Sequence, residues 1–191
     1  LSVNINKIAT IRNARGKNVP SIIDAAINCQ RFGADGITIH PRPDERHITY
    51  KDAYDIKSII NTEYNIEGYP SVNFIKMVTR IKPHQVTLVP DGPNVLTSCS
   101  GWDTVKFKDY LREIISEFRC HGIRTSIFID PNIEMIDAAK LCGTDRIELY
   151  TEDYADGYLK DKEKAIAPYI EAAKIAADLK LGVNAGHDLS L

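Results

Sequence analysis

The sequence predicts a (β/α)₈ TIM barrel, with seven strands visible and the eighth strand and terminal helices beyond the end of the chain. Three observations carry that expectation. Short runs of branched apolar residues alternate with longer amphipathic runs, as repeated strand–helix units of a parallel sheet do. The strand runs are apolar on both parities, the mark of strands covered on both faces. Seven such runs occupy 191 residues without a low-complexity linker, whereas a barrel of this kind uses eight strands and about 250 residues. One barrel domain over 1–191, incomplete at its C-terminal end, is therefore expected.

The elements follow in order. SVNIN (2–6) is the first strand. Residues 21–32 are a helix with Ile22, Ile23, Ala26 and Ile27 on one stripe. GITIH (36–40) is the second strand, and Thr49 followed by Asp52 marks a capping box before a helix over 50–61. NIEGY (65–69) precedes a helix over 71–81, where Val72, Ile75, Val78 and Thr79 recur at helical spacing. QVTLV (85–89) is followed by a loop from Pro90 to Asp103 that contains Gly92, Pro93 and Gly101, then a periodic helix over 103–121. After RTSIFI (124–129), Asp130 reads as an N-cap and Pro131 as the first helical residue of a helix that Gly143 stops. RIELY (146–150), an alanine-rich helix over 161–179 and LGVNA (181–185) complete the series.

Composition narrows the function. The 24 basic and 26 acidic side chains nearly cancel, at a net charge of −2. No basic run suggests nucleic acid or an anionic membrane surface as partner. No stretch approaches the roughly 20 apolar residues of a membrane span. No basic region leads into an apolar segment at the start, so no secretion signal is expected, and Leu at position 1 suggests a trimmed initiator end. Cys29, Cys99, Cys120 and Cys142 form no CxxC pair. Neither a zinc ribbon nor a thioredoxin motif is indicated, and reduced thiols of a cytosolic protein are expected.

In a barrel the active site lies at the strand C-termini. Polar residues there are Asn4, Asn6 and Lys7 after the first strand, His40 and Arg42 after the second, and Glu67 in the third. Thr97 follows the fourth, Glu148 lies in the sixth, and Asn184 and His187 lie in or after the seventh. Each has a structural alternative. A strand Glu such as Glu67 is often solvent-facing, Glu148 can be a buried ion-pair partner, and His40 can be a hydrogen-bonded structural histidine. His84 and His121 read as structural or solvated. Arg15, Arg42 and Arg46, placed on loops, suggest phosphate, whose oxygens match the guanidinium fork; surface pairing of Arg46 with Asp44 and Glu45 is the competing account.

Six segments, VNINKIATIRNARG, GADGITIHPRPDERHI, KPHQVTLVP, LTSCSGWD, SIFIDP and VNAGHDL, occur in this order. Together they resemble the pyridoxine 5′-phosphate synthase family of vitamin B6 biosynthesis along nearly the whole chain. The resemblance implies a (β/α)₈ barrel that condenses 1-deoxy-D-xylulose 5-phosphate with 3-amino-2-oxopropyl phosphate. Pyridoxine 5′-phosphate, phosphate and water are released, without a metal or organic cofactor. It further implies His40 and Glu67 as proton acceptors, His187 as proton donor and Glu148 as transition-state stabiliser. Asn4 and Arg15 would meet the amino ketone phosphate; Arg42, His47 and Thr97 would meet the pentulose phosphate. A cytoplasmic homo-oligomer, commonly an octamer, is implied as well.

The reaction moves protons in both directions near neutral pH, which suits imidazole and tuned carboxylates spread around a ring of strands. The 90–103 loop is expected to close and protect imine and enamine intermediates. Two positions depart from the family pattern. Asn6-Lys7 stands where many relatives carry Asp-His, and Lys7 is read as a contact to the pentulose phosphate or a hydroxyl. Asp188 stands where some relatives have Gly; a main-chain contact can persist there, with the carboxylate turned away from phosphate. The family's eighth strand adds a phosphate-site turn, and a chain ending at 191 is expected to show open strand edges and little activity.

Three rivals remain at this level. A sugar-phosphate isomerase or Schiff-base aldolase would need a strand lysine, and Lys7 is the nearest. A zinc hydrolase would use His40, His47 and His187 but lacks an HxH pair. A non-catalytic phosphate-ligand binding protein would need no acid–base machinery.

Overall fold

A computed structural model describes residues 1–91, 100–186 and 189. Among these residues, seven strands alternate with helices and take their places in one sheet in chain order. The described pairings β1–β2, β2–β3, β5–β6 and β6–β7 are all parallel. This is the alternation and strand order of an incomplete (β/α)₈ barrel fold. The chain divides into two compact units, one built on Leu1–Thr87 with Asp91 and His121–Ile123, the other on Leu88–Pro90 and most of the residues from 100 onward.

The first unit contains β1 (Ser2–Asn4), α1 (Asn6–Arg15), α2 (Ile22–Arg31), β2 (Gly36–Ile39), α3 (Tyr50–Lys57), β3 (Glu63–Gly68), α4 (Val72–Ile81) and all but the last residue of β4 (Gln85–Leu88). Alternation along each strand sorts its side chains. Ile37, Ile39, Tyr64, Ile66 and Val86 are fully buried on one parity, and the Tyr64 hydroxyl donates to the Ala53 carbonyl of α3 at 2.9 Å. The other parity is polar rather than apolar: Thr38, Asn65, Gln85 and Thr87 are buried there. They satisfy one another. Gln85 Nε2 and the Thr87 hydroxyl donate to Asn65 Oδ1 at 3.2 and 3.1 Å, and Asn65 Nδ2 donates to Thr38 Oγ1 at 3.4 Å. Each such group left unpaired would cost about 1–3 kcal/mol.

Capping chemistry fixes the helix starts. Thr49 and Asp52 form the expected capping box of α3. Ser21 and Ser71 accept backbone N–H bonds at the starts of α2 and α4. His84 is structural: its Nδ1 accepts the Tyr64 N–H at 2.9 Å. The first strand ends at Asn4, earlier than its residues suggest, and Asn6 and Lys7 open α1 instead. That helix has no apolar stripe to reveal it, because Ala9 is its one fully buried residue. Arg15 accordingly is the last residue of α1 rather than a loop residue, followed by Gly16 at φ 67°.

The second unit contains α5 (Lys108–Cys120), β5 (Arg124–Ile129), α6 (Ile133–Cys142), β6 (Arg146–Tyr150), α7 (Glu152–Tyr158), α8 (Lys162–Asp178) and β7 (Gly182–Gly186). α5 starts later than periodicity suggests, because Asp103 accepts the Lys106 N–H at 2.9 Å and holds a turn. The N-cap of α6 is Asn132, not Asp130; Asn132 accepts the Met135 N–H, while Asp130 accepts the Gly101 N–H at 3.3 Å. Gly143, at φ 85°, ends α6 as expected. α7 escapes sequence reading since it buries no residue. Trp102 is buried and meets Phe107 edge-on at 5.4 Å. Cys29, Cys120 and Cys142 are free thiols. Among the described residues, no helix is long and apolar enough to cross a membrane.

Candidate active site

The register of the first unit aligns Ile39 with Ile66, so His40 and Glu67 leave neighbouring strands side by side. His40 Nδ1 lies 3.9 Å from Glu67 Oε2, with side-chain exposures of 11% and 16%. Both residues continue the parity of Thr38 and Asn65. The polar ladder therefore ends in an imidazole and a carboxylate. At this separation the two charges stabilise one another when the ring is protonated, and each is an acid–base group near a shared space.

α1 presents a polar stripe at i, i+4 and i+7 to the exit of β2. Asn6 Oδ1 accepts the His40 backbone N–H at 2.9 Å, and the Asn6 N–H itself donates to Asn4 Oδ1 at 2.9 Å. Thr10 Oγ1 lies 3.1 Å from His47 Nδ1 and 3.2 Å from the Asn6 carbonyl. Asn13 Nδ2 donates to the carbonyls of Arg46 and His47 at 3.0 and 2.9 Å. Arg12 adds a fork to Asp52 at 2.6 and 2.9 Å and a bond to the His47 carbonyl at 3.3 Å. Holding the β2 exit in this way takes an oxygen acceptor at position 6, which a carboxamide supplies as well as a carboxylate would.

Charges crowd the same loop. Arg42 is buried and faces Asp91 at 3.6 Å, with side-chain exposures of 10% and 3%. Arg46 pairs with Asp44 at 2.5 Å, the surface pairing weighed above. Lys7 and Arg15 are exposed. Burial lowers the pKa of His47; a backbone contact at Arg46 offsets part of this, and the positive charges of Arg46, Arg42 and Lys7 lower it further. For Asp52, burial acts upward, but the hydrogen bonds from Arg12 and Thr49 outweigh it and hold the carboxyl below its ordinary range.

In the second unit, Glu148 is half-buried in β6, in register with Phe128 and Asn184. A methyl group on Gly186 would sit 3.9 Å from Glu148 Oε1. Burial raises the pKa of Asp130, against the Gly101 N–H, which lowers it. Thr97, His187, Asp188 and the 92–99 portion of the expected closing loop lie outside the described residues.

Sequence reading overlooked Thr10, Asn13, the Arg12–Asp52 pair and Asp91. The spacing of Asn6, Thr10 and Asn13 was a usable signal for the first two. Nothing local points to the others, because Arg12 and Asp52 are 40 positions apart.

The family model for pyridoxal phosphate biosynthesis protein PdxJ matches residues 1–191. The chain is 62% identical over 191 residues to the pyridoxine 5′-phosphate synthase of Christiangramia forsetii and 60% identical to that of Bacteroides fragilis. In both cases the match covers the whole of this chain and 81% of the relative. Among solved structures, a deoxyribose phosphate aldolase from Aeropyrum pernix superposes with a TM-score of 0.60 at 11% identity, over 88% of this chain and 72% of that one. A mandelate oxidase gives 0.58 at 9% identity, over 84% and 56%. These two likenesses are of fold alone.

Proposed function

The chain belongs to the PdxJ family of pyridoxal phosphate biosynthesis proteins, and from that premise we propose that it is a pyridoxine 5′-phosphate synthase. It condenses 1-deoxy-D-xylulose 5-phosphate with 3-amino-2-oxopropyl phosphate, in the cytoplasm and as a homo-oligomer. The observation that carries this reading is about 60% identity across all 191 residues to proteins of that name.

His40 and Glu67 take protons from carbon and nitrogen as the imine forms and rearranges. Their adjacency at 3.9 Å supports this, since a carboxylate beside an imidazole favours the protonated ring that a base becomes. His187 returns a proton to the departing oxygen and Glu148 stabilises positive charge developing in the transition state. Asn4 and Arg15 bind the amino ketone phosphate. Arg42, His47 and Thr97 bind the pentulose phosphate, Lys7 binds that phosphate or a hydroxyl, and Asn6 and the main chain at Asp188 contact substrate.

Turnover of the two substrates by the full-length protein tests the proposal. Glu67→Gln should lower kcat by about 10²- to 10⁴-fold, the usual worth of general acid–base catalysis, with a small change in KM. His187→Asn should do the same. Near-normal rates in both variants would remove the site assignment, and no product from the unaltered full-length protein would remove the activity.

A further inference from the structure

Thr10 stands midway along the polar stripe of α1, and its hydroxyl touches two groups. Its oxygen is 3.2 Å from the Asn6 carbonyl and 3.1 Å from His47 Nδ1. A carbonyl oxygen accepts and never donates. When the single hydroxyl proton is directed to Asn6, Thr10 bonds the imidazole by accepting. Both contacts are satisfied together only when Nδ1 carries the ring proton. A neutral imidazole left to itself in water prefers the proton on Nε2, so this arrangement selects the less common form.

We propose that Thr10 is a positioning residue that fixes His47 as its Nδ1–H tautomer and leaves Nε2 as a bare acceptor for a hydroxyl group of the pentulose phosphate. The second half rests on the reading of His47 as a contact to that substrate. The assignment divides the labour of the loop. A lone pair on Nε2 takes an O–H donor and repels phosphate oxygens, which only accept. Phosphate is then left to guanidinium and ammonium groups, among which Arg42, Arg46 and Lys7 act electrostatically on the ring. Burial and the positive charges of Arg46, Arg42 and Lys7 favour the neutral ring at His47, against the backbone contact at Arg46, and it is the tautomer of that neutral ring that Thr10 addresses.

The main chain at His47 is held independently, by Asn13 and Arg12. Thr10→Val removes the hydroxyl at nearly constant volume and leaves those contacts in place, while Thr10→Ser retains the hydroxyl. Imidazole ¹⁵N–¹H correlation spectra of the full chain without ligand at neutral pH read the tautomer directly, with the His47 signal assigned by its loss in His47→Gln. The expected result is a protonated Nδ1 and a bare Nε2 in the unaltered chain and in Thr10→Ser, and a shift of population towards Nε2–H in Thr10→Val. In steady-state kinetics Thr10→Val should raise KM for 1-deoxy-D-xylulose 5-phosphate about 3- to 10-fold, the worth of one neutral hydrogen bond. KM for 3-amino-2-oxopropyl phosphate should stay unchanged, and Thr10→Ser should restore the pentulose value. A protonated Nε2 at His47 in the unaltered chain, or a tautomer indifferent to Thr10→Val, overturns the proposal whatever the substrate contacts are. His47→Gln separates the two readings. If it leaves the pentulose KM unchanged, His47 is not a substrate contact and the underlying reading falls. If it raises that KM while Thr10→Val does not, the role given to Thr10 falls.

Discussion

Replacing Asp52 with Ala is expected to destabilise the chain by about 3 kcal/mol, and the structure supplies the terms. Asp52 accepts both arms of the Arg12 fork at 2.6 and 2.9 Å, and the two side chains are only 14% and 11% exposed. Charge-assisted hydrogen bonds of this kind contribute about 1.5–3 kcal/mol. Asp52 also accepts the Thr49 N–H at 2.8 Å in the capping box of α3, worth about 0.5–1 kcal/mol. Removing the carboxylate further strands a mostly shielded guanidinium, which places the total towards the upper part of that range. Urea unfolding followed by circular dichroism should show the midpoint lowered by about 1 M, for a slope of about 2–3 kcal/mol per M.

The pH dependence has a definite sign. Because the folded-state pKa of Asp52 is depressed, its stabilisation is fully present above the unfolded carboxylate value of about 3.9 and is lost as pH falls through the lower folded value. The gap between the unaltered chain and Asp52→Ala should therefore be constant near neutrality and close in acid. Arg12→Met and the double variant complete a cycle in which the two substitutions must couple strongly. A midpoint change below about 0.3 M, or simple additivity of the two substitutions, would refute the reasoning.

Other outcomes follow from packing, capping and burial. Gly68→Ala would set a methyl 2.2 Å from Phe74 Cε2, a ring that is itself buried. Overpacking of this kind costs about 1–3 kcal/mol, so thermal unfolding should come several degrees earlier, and an unchanged midpoint would contradict the contact. Asn132→Ala should lose about 1 kcal/mol of helix capping in urea unfolding; a neutral result would return the N-cap of α6 to Asp130. Cys142, whose thiol burial pushes up to about 11, should resist iodoacetamide at mildly alkaline pH while exposed Cys120 reacts. Mass spectrometry showing equal labelling in the native chain would count against that burial.

The succession of strands and helices is written locally. Ile37, Thr38 and Ile39 mark a strand by their run of branched side chains, Thr49 and Asp52 mark a helix start by their spacing, and Gly143 marks a helix end by tolerating positive φ. These signals act over a few residues, so the linear order contains them. α1 and α7 lacked such a signal, since the one has a single fully buried residue and the other has none. The cap of α6 went to Asn132 because Asp130 was engaged by Gly101, 29 positions earlier in the chain.

The identities of His40, Glu67, Arg42 and His47 were legible as chemistry at strand ends, and their resemblance to a known family gave them roles. Their relations were not. That His40 faces Glu67, that Arg42 faces Asp91, and that Asn6, Thr10 and Asn13 hold the exit of β2 all depend on parallel register and helix packing. The sequence by itself determined which groups this protein has and the order of the elements that bear them, because propensity, capping and periodicity are short-range. Only the tertiary structure decided which partner each group met, because hydrogen bonds and charges act through space over a few ångströms and are indifferent to separation along the chain.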